Sequence, residues 1–269
     1  MRRVRGRWIS VSQPRRVIAE LMRTCHTIPI ITIETRMQLA ELVAARNGIP
    51  NPPSWVAVFA KAFGIVAKRR AELRRSYMPW PWPHFYETED SIGTVSVERE
   101  FHGEPAVFFG QFRLPDQQTL TRLQEIIDHW RTTPVEQVRD FKRLLRLMWW
   151  PRPVRRFCWW YASQVAGRHR TRQFGTFAIS TTASTGATCI NLISPVTATL
   201  NYGLLAEDGS LDVRLHFDHR VMDGMPAARA LAEIEDVLRT TILAELREMA
   251  APANRTGVRS VEIVVSRER

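Results

Sequence analysis

A chain of 269 residues is long enough for one large domain or two small ones around a substantial core. With 38 Lys and Arg against 27 Asp and Glu it carries a formal charge of +11, which favours anionic partners such as nucleotides, phosphorylated cofactors, acidic lipids or nucleic acid. Cys25, Cys158 and Cys189 are widely spaced and form no CxxC pair, against a disulfide framework or zinc site, and no apolar run reaches the length of a membrane span; a soluble or membrane-peripheral protein of a reducing cytoplasm is expected.

Residues 1–13 are basic and without a clear period, an N-terminal arm or loosely attached strand. From Pro14, suited to a helix start, Val17, Ile18, Leu21 and Met22 make an apolar stripe that ends before Thr27-Ile28-Pro29. Ile30–Ile33 reads as a strand and residues 37–46 as a short helix, closed by the breakers from Gly48 to Pro53. Ser54 is placed to cap the next helix, whose Val56, Phe59, Ala60, Phe63, Ile65 and Val66 mark it as a core element. Alternate prolines in Pro79-Trp80-Pro81-Trp82-Pro83 remove N–H donors, so this stretch reads as an extended connector.

Residues 91–98 and 105–112 read as strands around a turn at Phe101–Glu104, followed by a helix marked by Leu120, Leu123, Ile126 and Ile127. His84, His102 and His129 have no ligand-like spacing and read as surface or structural groups. Over 135–174, Phe141, Leu144, Leu145, Met148 and Trp149 share one helical face, and aromatic and arginine side chains are mixed. That mixture suits a membrane interface, a protein contact or a nucleic-acid groove; the plainer reading is helix packing against a neighbouring subunit. Thr176–Ser180 and Thr197–Leu205 read as strands, the latter joined to 211–217 as a hairpin through Ala206–Ser210. Residues 251–269 read as a C-terminal tail or an edge strand over 258–265. No internal repeat, Gly-rich phosphate loop or metal-ligand cluster stands out.

The most informative stretch is Leu211–Leu238. Leu211, Val213, Leu215 and Phe217 alternate with polar residues as in a half-buried strand, and from Ala227 the residues Leu231, Ile234 and Leu238 recur at helical spacing. The turn between them carries His219, Asp223 and Gly224. A histidine held between rigid elements can exchange protons near neutral pH. Two plainer readings stay open: Asp223-Gly224 as a turn and helix cap, and His219 as a satisfied core histidine.

The segment Asp218-His219-Arg220-Val221-Met222-Asp223-Gly224, followed by Ala227-Ala228-Arg229, resembles the catalytic signature of the dihydrolipoyl acyltransferases of 2-oxoacid dehydrogenase complexes. His-x-x-x-Asp-Gly also occurs in the related chloramphenicol acetyltransferases. Gly175–Ser180 resembles the family's Gly-Thr-Phe-Thr-Ile-Ser strand, Ser194-Pro195 to Gly203 its next one, and Arg15–Ala19 with Thr27-Ile28-Pro29 its opening helix and first strand. Ser54-Trp55 stands where the family usually has Asn-Asp, and the Trp/Arg-rich stretch of about 143–174 looks like an insertion.

The resemblance implies an α/β (α+β) chloramphenicol acetyltransferase-like fold, a mixed sheet flanked by helices, over a catalytic domain of residues 14–250. It also implies trimers, alone or in larger assemblies, with active sites between subunits. His219 would be the general base, Ser180 the oxyanion donor, and Asp223 an orienting charge paired with Arg15 or Arg16, with Gly224 giving the turn its tight path. The implied donor is an acyl-coenzyme A, without a metal. Free-standing and without a lipoyl domain of its own, the chain would serve a lipoyl-bearing protein in trans, or acylate a small-molecule hydroxyl or amine. The alternatives are a noncatalytic acyltransferase-like scaffold, or a subunit that binds a membrane surface or partner through 143–170. No nucleic-acid motif is recognisable.

Overall fold

The computed structural model describes residues 6–181, 183 and 186–255, the last four of these by backbone alone. Helix α1 (Gln13–Cys25) has Pro14 in its first turn, as its sequence predicts, and leads through Pro29 into strand β1 (Ile30–Gln38). The strand runs past the predicted Ile33 because all nine residues pair antiparallel with the later strand 210–218, bringing Met37 opposite Leu211. The short helix α2 is therefore confined to Ala40–Asn47. In α3 (Trp55–Arg69) Ser54 accepts a bond from the Ala57 N–H at 3.4 Å, the expected cap.

The proline–tryptophan stretch links two short strands that the sequence reading leaves out, β2 (Arg75–Met78) and β3 (His84–Glu87), which pair only with each other. Strands β4 (Ile92–Phe101) and β5 (Glu104–Arg113) form a hairpin whose turn residues, His102 and Gly103, have φ of 53° and 77°. Positive φ at both central positions suits a tight, right-twisted hairpin. Helix α4 (Leu120–Thr132) follows, then α5 (Arg139–Met148), α6 (Arg152–Trp160) and α7 (Gly167–Phe174). Strands β6 (Phe177–Ile179), β7 (Ala198–Leu205) and β8 (Ser210–Asp218) lead to α8 (Gly224–Val237) and α9 (Leu243–Arg255). Residues 251–255 thus continue a helix, and the possible edge strand at 258–265 lies outside the described residues.

The main sheet has the order β1-β8-β7-β6-β4-β5 and is mixed: β6 runs parallel to both β4 and β7, and the other pairs are antiparallel. Its large core lies under α3, α4, α8 and α9, where Phe63 meets Phe177 with ring centres 4.2 Å apart and Phe59 stacks on Tyr202 at 4.6 Å. A smaller core on the other side joins Val17, Leu21 and Cys25 of α1 to Met148, Trp159 and Phe174 of α5–α7. The Trp/Arg-rich segment therefore packs against α1 of the same chain. The buried Arg155 pairs with the buried Glu20 at 3.3 Å, and the Trp159 indole N–H donates to Thr24 Oγ1 at 2.5 Å. Trp149, expected on the buried face of α5, is instead 78% exposed because the helix ends at Met148. Among the described residues no helix is long and apolar enough to cross a membrane.

Candidate active site

His219 sits just beyond the end of β8, where the antiparallel ladder with β1 stops, and its backbone N–H donates to the Pro29 carbonyl at 3.0 Å. The turn that follows is tied to Asp218, whose backbone carbonyl accepts from Val221 N–H at 3.0 Å and Met222 N–H at 3.3 Å. The ring Nδ1 of His219 lies 3.2 Å from the Met222 carbonyl and 3.4 Å from Asp223 Oδ1. A carbonyl oxygen only accepts, so this contact assigns the proton to Nδ1 and leaves the Nε2 lone pair free. The side chain is 44% exposed, open to a second reactant.

The buried charge that holds this turn is Asp218, 1% exposed. Arg220 grips it with Nε to Oδ1 at 2.9 Å and Nη2 to Oδ2 at 2.7 Å, while the Arg220 backbone N–H donates to Oδ1 at 3.0 Å. The Arg220 guanidinium also lies 4.5 Å from the Tyr77 ring centre. Beneath them Arg170 is buried, donating to the Ser163 carbonyl at 2.5 Å and the Pro195 carbonyl at 2.6 Å. Burial lowers its pKa to about 10, against the opposing pull of Asp218, so it is still a cation at neutral pH.

This arrangement corrects the pairing expected for Asp223. That side chain is 83% exposed at the N-cap of α8 and makes no ion pair with Arg15 or Arg16. Arg16 donates instead to the Val11 carbonyl at 2.9 Å, and Arg15 lines a cavity beside α1. Gly224 is likewise not required by the turn within the chain: its φ is ordinary and a Cβ there would meet nothing within 4 Å. The carboxylate paired with an arginine is Asp218, which the sequence places beside His219 and flanks with Arg220, while Asp223 is the carboxylate beside the His219 ring; nothing in the sequence pointed to Arg170.

Ser180 follows β6, its N–H bonded to the Leu200 carbonyl at 3.1 Å and its carbonyl accepting from Asn201 Nδ2 at 2.7 Å. It lines two cavities, of about 240 and 840 Å³, which share Ser96, Val107 and Ser180 in their walls. His219 is far from this point. Ser180 adjoins Asn201 on β7, which pairs with Arg214, five residues before His219 along β8. At about 3.4 Å per residue and 4.8 Å between strands, the two side chains are roughly 15–20 Å apart within one chain.

Four buried polar atoms on β7 and β8 lack a partner among the described residues: Thr199 Oγ1, Asn201 Oδ1, Arg214 Nη1 and His216 Nε2. They occupy two adjacent rows of one sheet face, since Thr199 pairs with His216 and Asn201 with Arg214. Burial, and then the nearby Arg214, lower the His216 pKa to about 4, so it is neutral at pH 7 and bonded through Nδ1 to Thr32 Oγ1 at 2.7 Å. A further cavity of about 750 Å³ is lined by Arg139, Lys142, Arg143 and Arg146 with no acidic residue.

No protein-family model matches the sequence, and no curated protein sequence does either. Solved structures do. A dihydrolipoamide acetyltransferase from Azotobacter vinelandii, studied for the role of a serine, a histidine and an asparagine four residues beyond the histidine in its mechanism, superposes with a TM-score of 0.64 at 19% identity, over 90% of this chain and 94% of that one. The fold is that of the dihydrolipoamide acetyltransferase cores. The truncated catalytic core of the 2-oxoacid dehydrogenase complex from Thermoplasma acidophilum matches with a TM-score of 0.62 at 15% identity, over 87% and 99% of the two chains. The cubic core of a pyruvate dehydrogenase complex matches at 0.60 and 19%, over 90% and 94%. The expected mixed α/β acyltransferase fold is thus present, shared with proteins of very different sequence.

Two measurements separate the roles of these groups. Asp218→Ala is expected to cost about 3–5 kcal/mol in denaturant unfolding, because it leaves the half-buried Arg220 and the buried Arg170 without their anion, whereas Asp223→Ala stays within about 0.5 kcal/mol. Equal losses would contradict this assignment. For His216 the folded pKa is depressed, so its contribution to stability is present above pH 6.5 and is lost as pH falls toward 4. The melting temperature is expected to drop over that window, and to drop less steeply in His216→Gln.

Proposed function

We propose that this chain is a coenzyme A-dependent acyltransferase, moving an acyl group from a coenzyme A thioester to a thiol such as a dihydrolipoyl group supplied in trans, or to a small hydroxyl or amine. The observation that carries the reading is the His219 ring, fixed through Nδ1 to the Met222 carbonyl at 3.2 Å with Nε2 left as a base. Nε2 takes the acceptor proton as the acceptor sulfur, oxygen or nitrogen attacks the thioester carbon. The Ser180 hydroxyl donates to the oxyanion that forms. Collapse breaks the carbon–sulfur bond, and the departing thiolate recovers the proton from His219.

Order and spacing support this assignment. In the Azotobacter protein the serine, the histidine and the asparagine four residues beyond it were studied for their role in catalysis. Ser180, His219 and Asp223 repeat the order and the four-residue step, with a carboxylate in place of the amide. The two cavities that meet at Ser180 offer separate chambers for donor and acceptor, and the cationic cavity along α5 favours a phosphate-bearing donor.

The distance between Ser180 and His219 supports a site assembled from two copies, as in a trimer, with the histidine of one chain facing the serine of the next. A trimer could in turn build a larger core. A second contact is favoured by the outward residues of α5 and α6: Trp149, Phe157 and Trp160 are 78%, 61% and 42% exposed among arginines, a composition suited to an anionic membrane surface or a partner protein.

Release of coenzyme A thiol from acyl-coenzyme A donors, with dihydrolipoamide and small alcohols or amines as acceptors, tests the reaction. His219→Ala is expected to lower kcat/KM by about 10²–10⁴-fold and Ser180→Ala by about 10²–10³-fold. A folded protein that turns over no donor, or a His219→Ala variant as active as wild type, would sink the proposal. Co-assembled His219→Ala and Ser180→Ala chains should regain activity that neither shows alone; no regain would argue against a shared site. In flotation with phosphatidylserine vesicles, Trp149→Ser with Phe157→Ser should reduce binding, and absence of wild-type binding would remove the membrane contact.

A further inference from the structure

The 240 Å³ cavity lies between α1 and the sheet, and its chemistry is uneven. Val17, Ile18 and Leu21 of α1 face Phe109 of β5 and Ala178 of β6 across it, with Phe174 of α7 at the side. Small polar residues line the sheet floor, where Thr94, Ala178 and Thr199 stand in one row across β4, β6 and β7, while Arg15, Gln173 and Ser194 lie at the other walls. Thr94 is already engaged, donating to the Phe174 carbonyl at 2.7 Å. Thr199 is not: its hydroxyl is buried, its residue 2% exposed, and no group of the described residues pairs with it.

A buried hydroxyl without a partner is costly unless something else completes it. Thr199 lies in the wall of a largely apolar cavity, its hydroxyl oxygen shielded from solvent, two residues along the sheet from Ser180, which lines the same cavity. Aliphatic and aromatic walls that lead to the Ser180 hydroxyl suit a ligand with a hydrocarbon body and one oxygen at its head.

We propose that this cavity takes the acyl chain of the donor, with the thioester carbonyl at Ser180, and that it selects an acyl group of medium length. In water-sized volumes of roughly 30 Å³ the cavity holds about eight groups, matching a chain of about six to eight carbons. An acetyl group would leave most of it empty, and a dodecanoyl chain would overrun it. The inference rests on the acyltransferase reading for its chemistry, but the cavity can be tested without turnover.

The experiment pairs kinetics with binding. With one acceptor, kcat/KM is measured for acetyl-, butyryl-, hexanoyl-, octanoyl- and dodecanoyl-coenzyme A, and binding of free octanoate is followed by calorimetry. Each sheltered methylene should raise kcat/KM about fourfold, up to the hexanoyl or octanoyl donor, before a fall at dodecanoyl. Ala178→Leu, which fills the floor, should lower the octanoyl-to-acetyl ratio more than tenfold and weaken octanoate binding. Ile18→Trp narrows the cavity from the half-exposed roof and should do the same, which covers the case in which Ala178→Leu fails to fold.

Turnover that is best with acetyl, or indifferent to chain length, overturns this inference and leaves the acyltransferase reading standing. Absence of turnover together with octanoate binding that either filling variant abolishes retains the cavity assignment and discards the reaction. Octanoate that fails to bind, or that binds both filled variants as tightly as wild type, overturns the assignment whatever the kinetics.

Discussion

The carboxylate of Asp218 is the constraint on which the rest of the site depends. It is buried at the end of a sheet strand, where an unpaired charge would be strongly unfavourable, and it is satisfied by the side chain and backbone of Arg220 and by the field of the buried Arg170. Because Arg170 is itself held by the carbonyls of Ser163 and Pro195, one ion cluster ties together the end of β8, the turn before α7 and the segment leading into β7. His219 is the next residue, so its position is set by a network whose members cannot move independently.

A second constraint is the sheet. Its β8 strand is paired on both sides, by β1 and β7, so the end that presents His219 cannot slide in register without exposing Leu211, Val213, Leu215 and Phe217. The same rigidity keeps Ser180 at a distance from His219, because parallel β6 ends at a different level from antiparallel β8. A site that uses both groups is then a property of an assembly rather than of one chain. The smaller core built from α1 and α5–α7 has a different part to play: it roofs the sheet face on which Ser180 lies and so shapes the cavity beside it.

Much of this was legible in the residues. Alternation over 211–217 followed by helical spacing from Ala227 located the strand, turn and helix around His219, and Ser54 marked the start of α3. Local periodicity failed where long-range pairing decided the outcome. The strand β1 extends to Gln38 because β8 lies beside it, and β2 and β3 are too short and too polar to stand out. The carboxylate paired with an arginine was sought at Asp223 and is found at Asp218. Both are four residues or fewer from His219, and only burial tells them apart: 1% exposure for one, and a side chain 83% exposed for the other.

The sequence by itself determined which elements form and which residue types stand at the turn, because hydrophobic period, proline placement and capping act over a few residues. It also carried the order of Ser180, His219 and Asp223. The tertiary structure alone decided which charges are buried together, that the charge of Arg170 acts on Asp218 across 48 residues, that Trp149 points outward while Trp159 packs inward, and that a largely apolar cavity opens beside Ser180. The reason is physical: electrostatic partners and cavities depend on distances between residues remote in the chain, and those distances exist only once the sheet and its two helical coverings have packed.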